Sequence, residues 1–401
     1  MRLLQVTQSY YPFLDKGGPT VKVRALARGL ASSGHAVTVL TADLGFDPGQ
    51  REIAGATPGP WGYEAREDGV EAIYLRTRAR HRSLTWNPGA ATFCRQQLGG
   101  YDLAHIYGLY DLIGPTVAGS CRRIARPYVV EPMGMFLPIV RSIWMKRLYH
   151  ETLGRRLLQG ASRVIATSEQ ERREFLEGGI ADSKIVVRRN GIEIPEKFPP
   201  AGSFRSQWDI AKEAKLVLFL GRLVSKKSPD LMLEAFSLRN RRGNGSQASV
   251  LVIAGPEEGD GFRQRLEKIA AQMGLNGRVL FTGPLYGEAK WAAYRDADVF
   301  VLPSQNENFG NTAAEAVASG TPVLVTDRCG IAPIVDQRAG LVVPHDCAAL
   351  EAGLTRILDD SALAARLRGG CREVANSLTW AEPLAQMDKL YRDLISEQCR
   401  Q

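Results

Sequence analysis

The sequence has no run of 18 apolar residues, so it offers no segment that could cross a membrane as a helix. Cysteine is scarce. The six, at positions 94, 121, 329, 347, 371 and 399, include no Cys-x-x-Cys pair. A metal cluster and a disulfide framework are therefore not expected, and the thiols read as free and packed. The 40 glycines and 21 prolines follow no period, which excludes collagen-like and low-complexity chains. The opening apolar stretch, Met1 to Val6, is too short for the core of a secretory signal, so a cytoplasmic location is expected. Disorder is excluded by composition: 44% of the 401 residues are hydrophobic and 23% charged.

What is present begins with charge. The net charge is +8, and residues 1–195 carry 26 Lys and Arg against 18 Asp and Glu, while residues 196–401 carry 25 of each. The whole surplus lies in the first half. It points to an anionic partner there, such as a lipid surface or a phosphorylated acceptor, or else to solvated basic faces. No recognition motif supports nucleic-acid binding.

Apolar runs at 2–7, 36–41, 72–75, 103–106, 128–130, 164–166 and 185–187 read as strands, with helical patterns between most of them. The helix over 21–33 repeats Val21, Ala25, Leu26 and Leu30 on one face, and Gly34 ends it. The second half repeats the scheme. Strands fall at 216–220, 250–254, 279–281, 299–302 and 322–325, and helices at 229–239, 262–273, 288–295 and 311–319. Runs such as Leu216-Val217-Leu218-Phe219-Leu220 are apolar on both faces, as a strand covered by helices on both sides requires. The expected fold class is α/β, with two doubly wound, Rossmann-like domains facing a cleft. Asn190-Gly191 and the prolines at 195, 199 and 200 mark the boundary. The expected division is 1–195, 196–375, and a last helix over 376–401 that crosses back to the first domain.

The residues that carry chemistry lie mostly in the second half. Gly221-Arg222-Leu223 ends a strand and Lys226-Lys227 follows. Then Pro303-Ser304, Glu307-Asn308-Phe309-Gly310 and Asn311 lead into a helix that carries Glu315. Arg222 and Lys227 are two fixed cations, which a diphosphate leaving group needs as its bond breaks. Glu307 and Glu315 are acceptors suited to vicinal hydroxyls, the groups sugars present. Each part alone is an ordinary surface feature; the joint, ordered occurrence is what points to a site.

These residues resemble the retaining glycosyltransferases of family 4, which have the GT-B fold. Further matching pieces are Gly17-Gly18 after the first strand, Thr167-Ser168-Glu169, Asn190-Gly191-Ile192, Phe281-Thr282-Gly283, Gly320-Thr321-Pro322-Val323 and Trp380. Glu131-Pro132-Met133-Gly134-Met135-Phe136 is similar to a signature of enzymes building exopolysaccharide and lipopolysaccharide. The resemblance implies a nucleotide-diphosphate sugar donor, a saccharide or lipid-linked saccharide acceptor, no cofactor and no metal. Arg222 and Lys227 would hold the diphosphate, and Glu315 the ribose. Glu307, with the backbone of Asn308, Phe309 and Gly310, would hold the sugar. Thr282 and Gly283 would lie near the base, while Gly17 and Gly18 would approach the phosphate. No Asp-x-Asp pair stands at a strand end to hold a metal. Two departures stand out. Where the family has a His-x-His pair, this chain has His105-Ile106-Tyr107, so either His105 or Tyr107 would serve the site. Met133 occupies a position where related signatures have Arg.

Residues 141–160 read as a basic amphipathic helix, with Val140, Trp144, Leu148, Leu153 and Leu157 able to share a face and Arg141, Lys146, Arg147, Arg155 and Arg156 supplying charge. That composition fits either an anionic membrane surface or an ordinary domain helix. A second basic cluster, Arg76, Arg78, Arg80, His81 and Arg82, suits an acceptor phosphate or a charged loop. Competing functions are a nucleotide-sugar epimerase or hydrolase, a dinucleotide-dependent oxidoreductase and a non-catalytic binding subunit. The oxidoreductase lacks a Gly-x-Gly-x-x-Gly fingerprint, and the subunit would have no need of the four charged residues of the site.

Overall fold

The structure is a computed structural model describing residues 1–13, 18–43, 55–81, 84–137, 143–243, 248–257, 259 and 261–400. Two compact units divide the chain: residues 1–190 together with 380–401, and residues 191–379.

Unit 1 is built on strands β1 (Arg2–Val6), β2 (Ala36–Ala42), β3 (Thr57–Pro58), β4 (Gly62–Glu67) and β5 (Val70–Leu75). They are followed by the β6 (Ala79–His81) and β7 (Leu84–Trp86) hairpin, and by β8 (Leu103–Tyr107), β9 (Tyr128–Glu131), β10 (Arg163–Ala166) and β11 (Ile185–Val187). Nine of them form one sheet in the order β11-β10-β9-β8-β1-β2-β5-β4-β3. It is parallel except where β3 and β4 join at the β5 edge. The chain reverses its direction of travel across the sheet between β1 and β8. β4 escaped the sequence reading because Gly62-Tyr63-Glu64-Ala65-Arg66-Glu67 is half polar, as suits an antiparallel strand beside the sheet edge with one wet face, and the three-residue β6 and β7 were not read either. The helix Gly18–Ser32 covers β1 and β2, and the last helix, Ala381–Cys399, packs beside it: Leu384 lies against Gly29, so closely that a Cβ there would be 2.4 Å from it.

Unit 2 carries strands β12 (Lys215–Leu220), β13 (Ser249–Ala254), β14 (Val279–Gly283), β15 (Val299–Leu302), β16 (Val323–Thr326) and β17 (Gly340–Val343). All are parallel, in the order β14-β13-β12-β15-β16-β17. The switch point lies between β12 and β15, where ligands of such sheets bind outside the strand C-termini. β17 was missed because Gly340-Leu341-Val342-Val343 is short and opens on glycine.

The central strands of both sheets are buried on both faces, and alternation along each decides which core a side chain joins. Leu216, Leu218 and Leu220 of β12 enter one cluster, while Val217 and Phe219 enter the other. In unit 1, Leu4 and Val6 of β1 face one cluster and Leu3 the opposite one. These continuous Val/Leu/Ile runs are what a doubly covered parallel strand needs.

The sequence reading of 141–160 as one amphipathic helix is corrected by the structure. Helix Ile143–Tyr149 passes into a π turn, His150–Gly154, before continuing as Arg155–Gln159. A π turn inserts an extra residue and rotates the remainder of the helix by about 100°. Leu157 and Leu158 are buried, whereas Trp144 and Leu148 are 70% and 59% exposed. They do not share a buried face. Val140, Arg141 and Arg82 lie outside the described residues.

Candidate active site

The strongest constellation sits on unit 2 at the switch point. β12 runs into Gly221, and Leu223 is held by its N–H to Pro256 O at 2.9 Å. The backbones approach so closely that a Cβ on Gly255, whose φ is +151°, would lie 1.7 Å from Gly221 O. Only glycine fits there. A short turn, Ser225–Lys227, follows and closes on Ser228, buried and left-handed at φ +50°. Ser228 Oγ lies 3.0 Å from His345 Nε2, which fixes the far side of the turn.

From the neighbouring strand β15 runs the loop that carries Glu307. Lys227 Nζ donates to Glu307 Oε2, joining residues 80 apart in sequence. Gln305 N donates to Lys226 O at 3.0 Å, so the two loops are also joined through backbone. On its other side the Glu307 loop is clamped by the segment after β16. Glu307 N donates to Arg328 O (2.9 Å), Gly330 N to Glu307 O (2.8 Å), and Ile331 N to Phe309 O (2.7 Å). Phe309 is buried as an anchor, and Asn308 Nδ2 is buried without a hydrogen-bond partner among the described residues. Gly310 at φ +105° turns the chain into helix Asn311–Ala318, where a Cβ would meet Ile331 and Leu302 at 3.1 and 3.2 Å.

Glu315 lies on that helix. Its Oε1 accepts from Lys290 Nζ at 2.8 Å and its Oε2 from Tyr294 O–H at 3.0 Å. Burial first, and the adjacent carboxylate second, push the Tyr294 phenol well above its usual value, so it stays a donor. Arg222 is exposed at the end of β12. Thr282 and Gly283 end β14. Gly283 O accepts from Gly255 N at 2.9 Å, and Thr282 Oγ1 donates to Gly283 O at 3.0 Å. Arg222, Lys227, Thr282, Gly283, Glu307, Asn308, Phe309, Gly310, Asn311 and Glu315 thus all lie on the elements that leave the C-terminal edge of the unit 2 sheet. Lys290 and Tyr294 were not found from sequence. Their i, i+4 spacing puts them on one helix face, but Tyr294 reads as a core residue, and nothing local ties either to Glu315.

The sequence does contain one Asp-x-Asp triplet, Asp296-Ala297-Asp298, ahead of β15. Both carboxylates have structural duties. Asp296 accepts from the backbone of Gly202, Phe204 and Arg205, and Asp298 pairs with Arg205 at 2.9 Å.

On unit 1 the structure places His105 and Tyr107 inside. They are 0% and 1% exposed, stacked with ring centroids 4.0 Å apart. His105 Nδ1 is 2.6 Å from Tyr391 Oη, and Tyr107 O–H donates to Gln5 Oε1. Tyr391 of the last helix packs edge-on against His105, and neither ring is open to solvent. Burial lowers the His105 pKa to about 3 despite Glu131, so the imidazole is neutral near pH 7. Burial also pushes Tyr107 well above 10.

Next to them Glu131, at the end of β9, accepts from Lys22 and Arg188, all three fully buried or nearly so. Burial opposes ionisation of Glu131, but Arg188 and Lys22 outweigh it and hold the carboxyl below its ordinary range. Gly18 opens helix Gly18–Ser32, is exposed, and a Cβ on it would meet none of the described residues within 4 Å. Gly17 lies outside the described residues.

Known proteins resemble the chain over both of its units. Residues 202–373 match the family described as glycosyl transferases group 1, and residues 17–191 match the glycosyl transferase 4-like domain. A D-inositol 3-phosphate glycosyltransferase of Salinispora tropica is 30% identical over 250 residues, 59% of this chain; the chain spans about half, 52%, of that relative. Among solved structures, the sucrose-phosphate synthase of Thermosynechococcus elongatus aligns over 99% of both chains with a TM-score of 0.76 at 22% identity. Anabaena HepE, solved with UDP and glucose, aligns over 97% of this chain and 99% of its own with a TM-score of 0.74 at 17% identity. At those identities the two structures speak for the fold. Matched through both of its units, the chain belongs to the family 4 glycosyltransferases of GT-B fold.

Proposed function

We propose that the chain transfers a sugar from a nucleotide-diphosphate donor to a saccharide or lipid-linked saccharide acceptor. In this reading the anomeric configuration is retained, no metal is needed, and the product belongs to a surface polysaccharide. The observation that carries the reading is the contact of Lys227 with Glu307 at the switch point. It brings a diphosphate-binding cation and a sugar-binding carboxylate together from two strand ends. Arg222 and Lys227 neutralise the leaving diphosphate, and the start of helix Asn311–Ala318 adds its dipole. Glu315 takes the ribose hydroxyls. Glu307 and the Asn308–Gly310 backbone hold the sugar, with the unpartnered Asn308 amide as a further donor. Thr282 and Gly283 flank the base. Gly17 and Gly18 approach the phosphate through their backbone.

The leaving phosphate itself takes the acceptor proton, so most of the rate comes from positioning and electrostatics. His105 and Tyr107 act here as positioning residues that hold the end of β8. That the relatives include inositol 3-phosphate transferases, and that unit 1 carries the basic surplus, supports an acceptor bearing negative charge. The exposed Trp144 and Leu148, with Arg147, Arg155 and Arg156 exposed nearby, support a second element: peripheral attachment of unit 1 to an anionic membrane surface.

The test is calorimetric titration of the chain with UDP, GDP, ADP and NAD. Selective binding of one nucleoside diphosphate, weakened about 10- to 100-fold in Glu315→Ala, is expected. Binding of NAD alone, or of none, would refute the transferase reading. Anomer-resolved NMR of the product tests retention.

A further inference from the structure

Glu315 is held before any nucleotide arrives, and the way it is held bears on what it selects. A carboxylate offers about four lone-pair positions, two on each oxygen. Lys290 takes one on Oε1 and Tyr294 takes one on Oε2. Among the described residues one acceptor position therefore stays open on each oxygen, which matches the two O–H donors of a vicinal diol.

The two holding groups come from one face of helix Gly287–Asp296 and differ in character. Tyr294 is fully buried, a fixed post in the core. Lys290 is about one-fifth exposed, with its ammonium 4.9 Å from the centroid of the Trp291 ring, which steadies it. Lys290 also offsets the charge of a carboxylate that would otherwise repel a diphosphate bound to the same unit.

We infer that Lys290 determines specificity for the ribose, fixing Glu315 Oε1 so that the carboxylate receives the 2′- and 3′-hydroxyls together and discriminates against a 2′-deoxyribose donor. This rests on the nucleotide-sugar reading of the site. Without Lys290, Glu315 is anchored at one oxygen only and turns about its last bond. A ribose and a deoxyribose then find nearly the same partner.

The experiment measures dissociation constants for UDP and 2′-deoxy-UDP (or the GDP and ADP pairs, if those bind) in wild type, Lys290→Met, Lys290→Arg and Glu315→Gln, with the nucleotide-free melting temperature of each. Wild type is expected to prefer the ribonucleotide by about tenfold or more, the worth of a hydrogen bond to a charged group. In Lys290→Met the preference falls to within about threefold, the ribonucleotide losing most, while melting stays within a few degrees. Lys290→Arg restores the preference. An unchanged preference in Lys290→Met, an equal loss for both ligands, or tighter ribonucleotide binding would overturn the inference; the last would make Lys290 a competitor of the ribose. A wild type that binds no ribonucleotide overturns the nucleotide-sugar reading, and this inference with it.

Discussion

Replacing Glu307 by Gln should make the nucleoside diphosphate bind more tightly while the enzyme turns over more slowly. In the structure Lys227 is engaged by Glu307, and the two side chains are 15% and 19% exposed. A diphosphate that recruits Lys227 must compete with that carboxylate. Two unit charges 4 Å apart attract by about 1 kcal/mol in water and about 4 kcal/mol at an effective dielectric of 20. Partial exposure discounts the upper figure, leaving about 1–2 kcal/mol of competition. Glu307→Gln removes the charge but keeps the side-chain length and an amide oxygen. UDP, or whichever diphosphate binds, should therefore gain about 5- to 30-fold in affinity, since 1.4 kcal/mol is about tenfold. The transferred sugar loses a charged acceptor, so kcat should fall about 10²-fold or more. Isothermal titration with the diphosphate and a donor-consumption assay measure the two sides. Weaker diphosphate binding in Glu307→Gln would refute the competition, and an unchanged kcat would remove Glu307 from the sugar.

Asp111, buried beyond the end of β8 and accepting from Gly114 N at 2.6 Å, has its pKa raised by burial to about 6. The folded chain then binds more protons than the unfolded one between about pH 4 and 6, so stability falls as pH rises through that window. Asp111→Asn should therefore gain about 2 kcal/mol on wild type between pH 4 and 7.5 in denaturation experiments, the fixed effect of the amide cancelling; a pH-independent difference would contradict the argument. Tyr107→Phe strips Gln5 Oε1 of its donor and should cost about 1–3 kcal/mol of stability with less than a tenfold loss of kcat; a hundredfold loss at unchanged stability would put its hydroxyl at the sugar. Trp144→Ala with Leu148→Ala should weaken sedimentation with phosphatidylglycerol-containing vesicles by about tenfold or more, and unaltered sedimentation would remove this face from membrane contact.

The strand–helix alternation was legible because parallel strands buried on both faces carry uninterrupted apolar runs. Ile185–Val187 and Val299–Leu302 were read to the residue, and the other parallel strands, β17 apart, to within two residues at either end. Motif order along the chain likewise sufficed to put Lys227 and Glu307 on the segments after β12 and β15 and Glu315 on the helix that follows, which is where the structure has them. Periodicity failed where one face is wet, at β4, and where a π turn breaks the helical count, at His150–Gly154.

The pairings belonged to the tertiary structure alone. No local signal tells that Lys227 reaches Glu307, that Lys290 and Tyr294 hold Glu315, or that Tyr391 closes over His105 from the last helix. Local pattern reports which face of an element is apolar. Which charged group meets which, and whether a histidine at a strand end is open or buried at a pKa near 3, depends on residues dozens to hundreds of positions away brought together by the sheet order.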